Sequence, residues 1–135
     1  MSPLGKFTNS QIHKLRTDFQ IHKFSNCTMI SLNEIQPKEI VPGYRARFIH
    51  TNNMTFAYWD VKAGYTLPEH SHVHEQVANV LEGVFKLVVD GVEHIIEPGK
   101  VVVIPSHAKH YGTSITDCKL LDVFYPIRED YKNLP

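Results

Sequence analysis

Val84-Phe85-Lys86-Leu87-Val88-Val89-Asp90-Gly91-Val92-Glu93-His94-Ile95-Ile96-Glu97 reads as two strand-forming runs, Val84–Val89 and Val92–Glu97, joined by Asp-Gly. Both central residues of a two-residue type I′ turn need positive φ, and Asp-Gly supplies them, so the stretch predicts a β-hairpin. Outward from it, turn pairs recur on either side: Pro42-Gly43, Asn52-Asn53, Ala63-Gly64, Glu82-Gly83, Pro98-Gly99, then Pro105 and Gly112. Short runs rich in Val, Phe, Tyr and Trp lie between them (Phe56–Val61, Val77–Leu81, Val101–Ile104, Lys119–Tyr125), which is the pattern of an all-β sandwich or barrel. Residues 1–27 read differently. Ile12, Leu15 and Phe19 follow the possible caps Thr8, Asn9 and Ser10, which predicts a short amphipathic helix on an N-terminal arm, with the β domain over 28–135.

The 135 residues suit one domain, and such a chain buries roughly two-thirds of its unfolded surface without needing disulfides. Fourteen Lys+Arg balance fourteen Asp+Glu, leaving no basic stripe for nucleic acid or an anionic membrane. The longest apolar runs, Phe56–Trp59 and Val101–Ile104, are far below the ~20 residues of a membrane span. MSPLGKFTNSQ has no apolar h-region, so a reducing, cytoplasmic location is expected, and the Asn-x-Thr triplets at Asn26 and Asn53 carry no glycosylation meaning there. Cys27 and Cys118 form no Cys-x-x-Cys arrangement and read as two buried thiols.

Of nine histidines, His70, His72, His74, His107 and His110 fall within the 41-residue stretch 70–110. Positions i and i+2 of a strand face the same way, so His70 and His72 can share a metal. Gln76 retains that parity, with a turn around His74 and Glu75 possible, and His110 can return from an adjacent strand as a fourth ligand. Neutral imidazoles suit Zn, Ni, Cu or Fe, and an amide oxygen adds a harder donor. A His-x-His pair on a strand is, by itself, often only polar surface.

The spacing Gly64-x5-His70-x-His72-x3-Gln76-x6-Gly83, followed by Gly99-x5-Pro105-x-His107-x2-His110, resembles the two histidine motifs of the cupin superfamily. The resemblance implies a small jelly-roll β-barrel holding one divalent ion (Ni, Zn, Fe, Mn or Co) on His70, His72, Gln76 and His110. Gln76 stands where most cupins have Glu, and His107 where the second motif usually has Gly. An amide leaves the ion's full charge uncancelled and favours anionic ligands. His74 and His107 are expected in loops or behind the ligands.

His70-Ser71-His72-Val73-His74-Glu75-Gln76 with Leu121-Asp122-Val123-Phe124-Tyr125-Pro126-Ile127-Arg128-Glu129-Asp130-Tyr131 is similar to a narrower family, the pectin-degradation cupins that linearise unsaturated uronates. That likeness, from about Val41 to Tyr131, implies a metal-dependent isomerase-type enzyme turning 4,5-unsaturated monouronates from pectin or alginate into linear 4-deoxy-5-keto-uronates. It implies a sugar-acid substrate, a homodimer, and a pocket with Asp122, Phe124 and Arg128 as catalytic residues. Physics assigns them compatible roles: a buried Asp122 with raised pKa moves a proton, Arg128 holds a carboxylate, and Phe124 dries the pocket. The purely structural alternative pairs Asp122 with Arg128 to close the barrel. Arg45 and Arg47 share a face of an earlier strand and are expected to face solvent. The rival functions are a cupin dioxygenase using Fe(II) and a non-catalytic sugar-acid or metabolite binder.

Overall fold

The computed structural model describes residues 8–10 and 27–135, so the helix expected around Ile12, Leu15 and Phe19 lies outside the described residues. The unit Leu32–Pro135 is nearly all strand. After a single 3-10 turn at Leu32–Glu34 come β1 (Lys38–Val41), β2 (Tyr44–His50), β3 (Thr55–Val61), β4 (Thr66–His70) and β5 (Glu75–Glu82). β6 (Phe85–Val89), β7 (Val92–Ile96), β8 (Val101–Ile104), β9 (His110–Ser114), β10 (Cys118–Tyr125) and one short helix, α1 (Glu129–Lys132), follow. Strands pair antiparallel in two sheets, ordered β1-β2-β3-β10-β5-β8 and β4-β9-β6-β7.

β6 and β7 form the expected hairpin, with Val89 opposite Val92 and positive φ at both Asp90 (47°) and Gly91 (81°). From β3 onward the chain keeps changing sheets: β3 lies in the larger, β4 in the smaller, β5 in the larger, β6 and β7 in the smaller, β8 in the larger, β9 in the smaller and β10 in the larger. These crossings make a jelly roll, and they put loop residues at the mouth between the sheets.

Alternation decides what goes inside. β3 buries Thr55, Ala57, Trp59 and Val61; β10 buries Cys118, Leu120 and Phe124; β5 buries Gln76, Ala78 and Val80. With Phe85, Leu87 and Ile96 from the smaller sheet and Ile104 from the edge of the larger, they form one core. A fully buried side chain such as Ile104 contributes about 1.5–3 kcal/mol. Thr55, Gln76 and the helix-capping Arg128 are polar yet buried in the same interior, and that departure from pattern marks the site. The cysteines correct an expectation: Cys118 is buried, but Cys27 is exposed, because it lies outside the strands that build the core.

Candidate metal centre and ligand pocket

The β4–β9 register sets His70 directly opposite His110, their rings 4.2 Å apart. His72 does not share a strand face with His70, as its i, i+2 spacing predicted. β4 ends at His70, and His72 sits in the loop that carries the chain to β5 in the other sheet. The loop still delivers its ring, 5.7 Å from that of His70 and 4.9 Å from that of His110. One ring nitrogen from each of the three lies within 4.8 Å of the others.

Each imidazole is braced by a carbonyl two residues away: Nδ1 of His70 on Pro68 O (2.8 Å), of His72 on His74 O (3.0 Å), of His110 on Ala108 O (2.8 Å). A carbonyl only accepts, so Nδ1 carries the hydrogen and Nε2 is left with its lone pair, the tautomer that binds metal. His110 Nε2 is buried with no hydrogen-bond partner. Burial, reinforced by the Arg128 charge and the neighbouring ring of His110, pushes His72 down to about 4. Burial also lowers His110. Both are neutral near pH 7, as ligation requires.

Gln76, 6% exposed at the start of β5, places Oε1 3.2 Å from His72 Nε2. With the His72 hydrogen committed to His74, this contact brings two lone pairs together, an arrangement that suits a shared cation. The Gln76 side chain also favours the ionised form of Asp122. An amide can do both, offering oxygen to the histidines and N–H to a carboxylate. The glutamate of most cupins has no hydrogen to give. The donor set of three neutral imidazoles and an amide oxygen therefore fits a divalent ion.

Asp122 on β10 is flanked in register by Ala57 on β3 and Ala78 on β5. The two small neighbours leave its carboxyl facing a pocket that also holds His70, His110, Gln76 and Arg128. Burial pushes Asp122 up to about 6, against the opposing pull of Gln76, Trp59 and the Arg128 charge.

The structure does not pair Asp122 with Arg128. Arg128 forks onto Asp130 instead, Nε to Oδ1 at 2.9 Å and Nη2 to Oδ2 at 2.7 Å. The reason is local: α1 begins right after Arg128 and its first turn brings Asp130 back beside the guanidinium. Phe124, 2% exposed, and Tyr131 present ring faces to the cation, at 4.7 and 3.9 Å from their centroids. Arg128 Nη1 is buried and has no partner.

The structure thus brings His70, His72, Gln76, His110, Asp122, Phe124 and Arg128 to one pocket mouth or its walls. His74 lends its carbonyl to His72 and packs its ring on that of His72, and the backbone N–H of His107 donates to His72 O at 2.8 Å. His107 has φ of 66°, in the region glycine favours. Arg45 is exposed and Arg47 bonds Asp60 and Ile35 O, both away from this pocket. Sequence reading missed Trp59, Asp130 and Tyr131. Inward parity on β3 marked Trp59, but the roles of Asp130 and Tyr131 depend on the turn of α1.

The chain matches the cupin domain family over residues 57–124, half its length. Its fold is similar to KdgF from Halomonas sp. (24% identity, TM-score 0.75, covering 78% of this chain and 99% of that one). It is also similar to an RmlC-like cupin from Shewanella frigidimarina (26%, 0.74, 78% and 96%). A predicted oxalate decarboxylase from Thermotoga maritima is more distant (19%, 0.66, 73% and 99%). No curated protein matches the sequence. With half of its length fitting the family and its sheets superposing on theirs, the chain belongs to the cupins.

Proposed function

We propose that the protein is a metal-dependent enzyme that opens 4,5-unsaturated monouronates to linear 4-deoxy-5-keto-uronates. One observation carries the reading: the Asp122 carboxyl and the Arg128 guanidinium, with an unpaired Nη1, line the same pocket as His70 and His110, two of the three clustered imidazoles. The similarity in fold to KdgF, and the Asp-x-Phe and Arg signature at Asp122, Phe124 and Arg128, point the same way.

In the reaction, the C1 hydroxyl loses its proton and becomes the aldehyde as the C1–ring oxygen bond breaks. The ring oxygen stays on C5 as an enolate oxygen, and the proton added at C4 turns the enolate into the 5-ketone. Atoms balance without any co-reactant. His70, His72, Gln76 and His110 would hold a divalent ion, whose positive charge would stabilise oxyanion character. Asp122, poised near 6, takes the C1 hydroxyl proton and returns one at C4. Gln76 and Trp59 steady its ionised form. Arg128 Nη1 receives the substrate carboxylate, and Phe124 keeps water from the guanidinium.

The test incubates metal-loaded protein with a 4,5-unsaturated monouronate and follows the ultraviolet absorbance of its conjugated enol ether together with dissolved oxygen. Loss of absorbance at constant oxygen is the expected result. Oxygen uptake would make the protein a dioxygenase, and thermal stabilisation by the uronate without turnover would make it a binding protein.

A further inference from the structure

Among the described residues Arg128 is the one cation on the pocket wall; one edge of its guanidinium is already engaged, and two aromatic rings lie against it. Its backbone N–H donates to Oγ1 of Thr55 at 2.9 Å, fixing the residue to the fully buried first position of β3. The Asp130 carboxylate takes the Nε and Nη2 edge in a two-pronged fork. Tyr131 and Phe124 cover the plane of the guanidinium, and their rings meet edge to face, 5.9 Å apart. Of the three guanidinium nitrogens, Nη1 is the one with no hydrogen-bond partner among the described residues, and it is buried. A buried unpaired donor on a cation is costly unless something regularly fills it.

Asp122, the other carboxylate near Arg128, feels its charge yet makes no ion pair with it. If Arg128 were free to turn, an opposite charge in the same low-dielectric pocket would capture it, cancelling both groups. Asp130 is well placed to prevent this. Its side chain is 58% exposed, so it stays hydrated and ionised at little cost, and the Arg128 guanidinium holds its carboxyl below the usual range.

We propose that Asp130 is a positioning residue: with Tyr131 it clamps Arg128 so that only Nη1 points into the pocket, which keeps Asp122 free and selects ligands that present one carboxylate oxygen there. The proposal deepens the uronate reading and rests on it for the identity of the substrate. The clamp itself stands on the distances above.

The test compares wild type with Asp130→Asn and Asp130→Glu, all metal-loaded, by two readouts besides activity. The chain has four arginines, so the side-chain Nε–Hε spectrum is simple, and Arg128→Lys identifies the Arg128 signal. Expected for wild type is an Arg128 Hε that exchanges slowly with solvent and shifts on titration with D-galacturonate or acetate but not with D-galactose. In Asp130→Asn, exchange becomes fast and affinity for both anions drops about tenfold or more. Metal content and thermal midpoint should hold, and Asp130→Glu should recover part of both losses.

Three results overturn the proposal: unchanged Hε exchange in Asp130→Asn, tighter anion binding in that variant (Asp130 then being only a countercharge), or no anion binding in wild type. The uronate reading fails separately, if the unsaturated monouronate is not turned over while Asp130→Asn still loses acetate and galacturonate. Turnover with unchanged KM in Asp130→Asn would leave that reading intact and remove the clamp.

Discussion

Asp122 illustrates how one residue can be set against the stability of its own fold. Its pKa of about 6 lies above the ordinary 3.8, so the folded chain prefers the protonated form. That preference stabilises the fold fully below about pH 4 and is lost as pH rises through 6. Asp122→Asn mimics the protonated state. Its thermal midpoint should therefore exceed that of wild type at pH 7.5 and converge with it below pH 4, while turnover drops by roughly 10²–10⁴ with metal retained. A midpoint below that of wild type at pH 7.5, with turnover preserved, would return Asp122 to a structural role. The neighbours Ala57 and Ala78 had given no sequence sign of their part, since their importance is only that they are small and opposite Asp122.

Among the elements, β9 packs closely against its neighbour β6. Gly112 follows His110 by two residues on the same inward side, and a Cβ there would lie 2.4 Å from ring atoms of Phe85 on β6. Gly112→Ala must push Phe85 toward the pocket or displace β9, costing about 1–3 kcal/mol in overpacking. Because β9 also sets His110 against His70, the same variant should bind metal more weakly. Equilibrium dialysis and thermal melts on one preparation check both, and unchanged metal affinity would show that Phe85 alone yields.

Elements were also where sequence reading succeeded and failed for identifiable reasons. The β6–β7 hairpin was legible because Asp-Gly admits few other turns, and β8 was found at its observed bounds between Gly99 and Pro105. The clustering of His70, His72 and His110 was legible through spacing, but the strand assignment of His72 was not. Parity holds only while a strand continues, and nothing in Ser71-His72-Val73 announces the crossing between sheets. Arg128 has an acid six residues before it and another two after; only the first turn of α1 decides between them.

For the whole molecule, acid should act chiefly through the histidines. Burial holds His72 at about 4, below its usual 6.5, and also lowers His50, His74 and His110. The unfolded chain then binds more protons, so their contribution is intact above pH 6.5 and is lost as pH falls toward 4. Asp122 opposes this over part of the range, but as a single group. The metal-free protein should therefore melt progressively lower from pH 6.5 to pH 4.5. Added Ni²⁺ or Zn²⁺ should raise the midpoint at pH 7.5 and do little at pH 5, since protonated imidazoles do not ligate. A metal effect of equal size at both pH values would place the ion elsewhere.

The three carbonyls behind His70, His72 and His110 belong to the main chain, and each lies two residues from the ring it braces. No side-chain replacement can delete such an acceptor. The hub of the pocket is thus insulated from genetic drift in a way its walls are not, so descendants of one ancestral barrel can exchange aromatic, acidic and basic neighbours while the three rings keep their aim. A library that randomises wall positions and leaves residues 68–74 and 108–110 alone is accordingly the economical route to new ligand preferences on this scaffold.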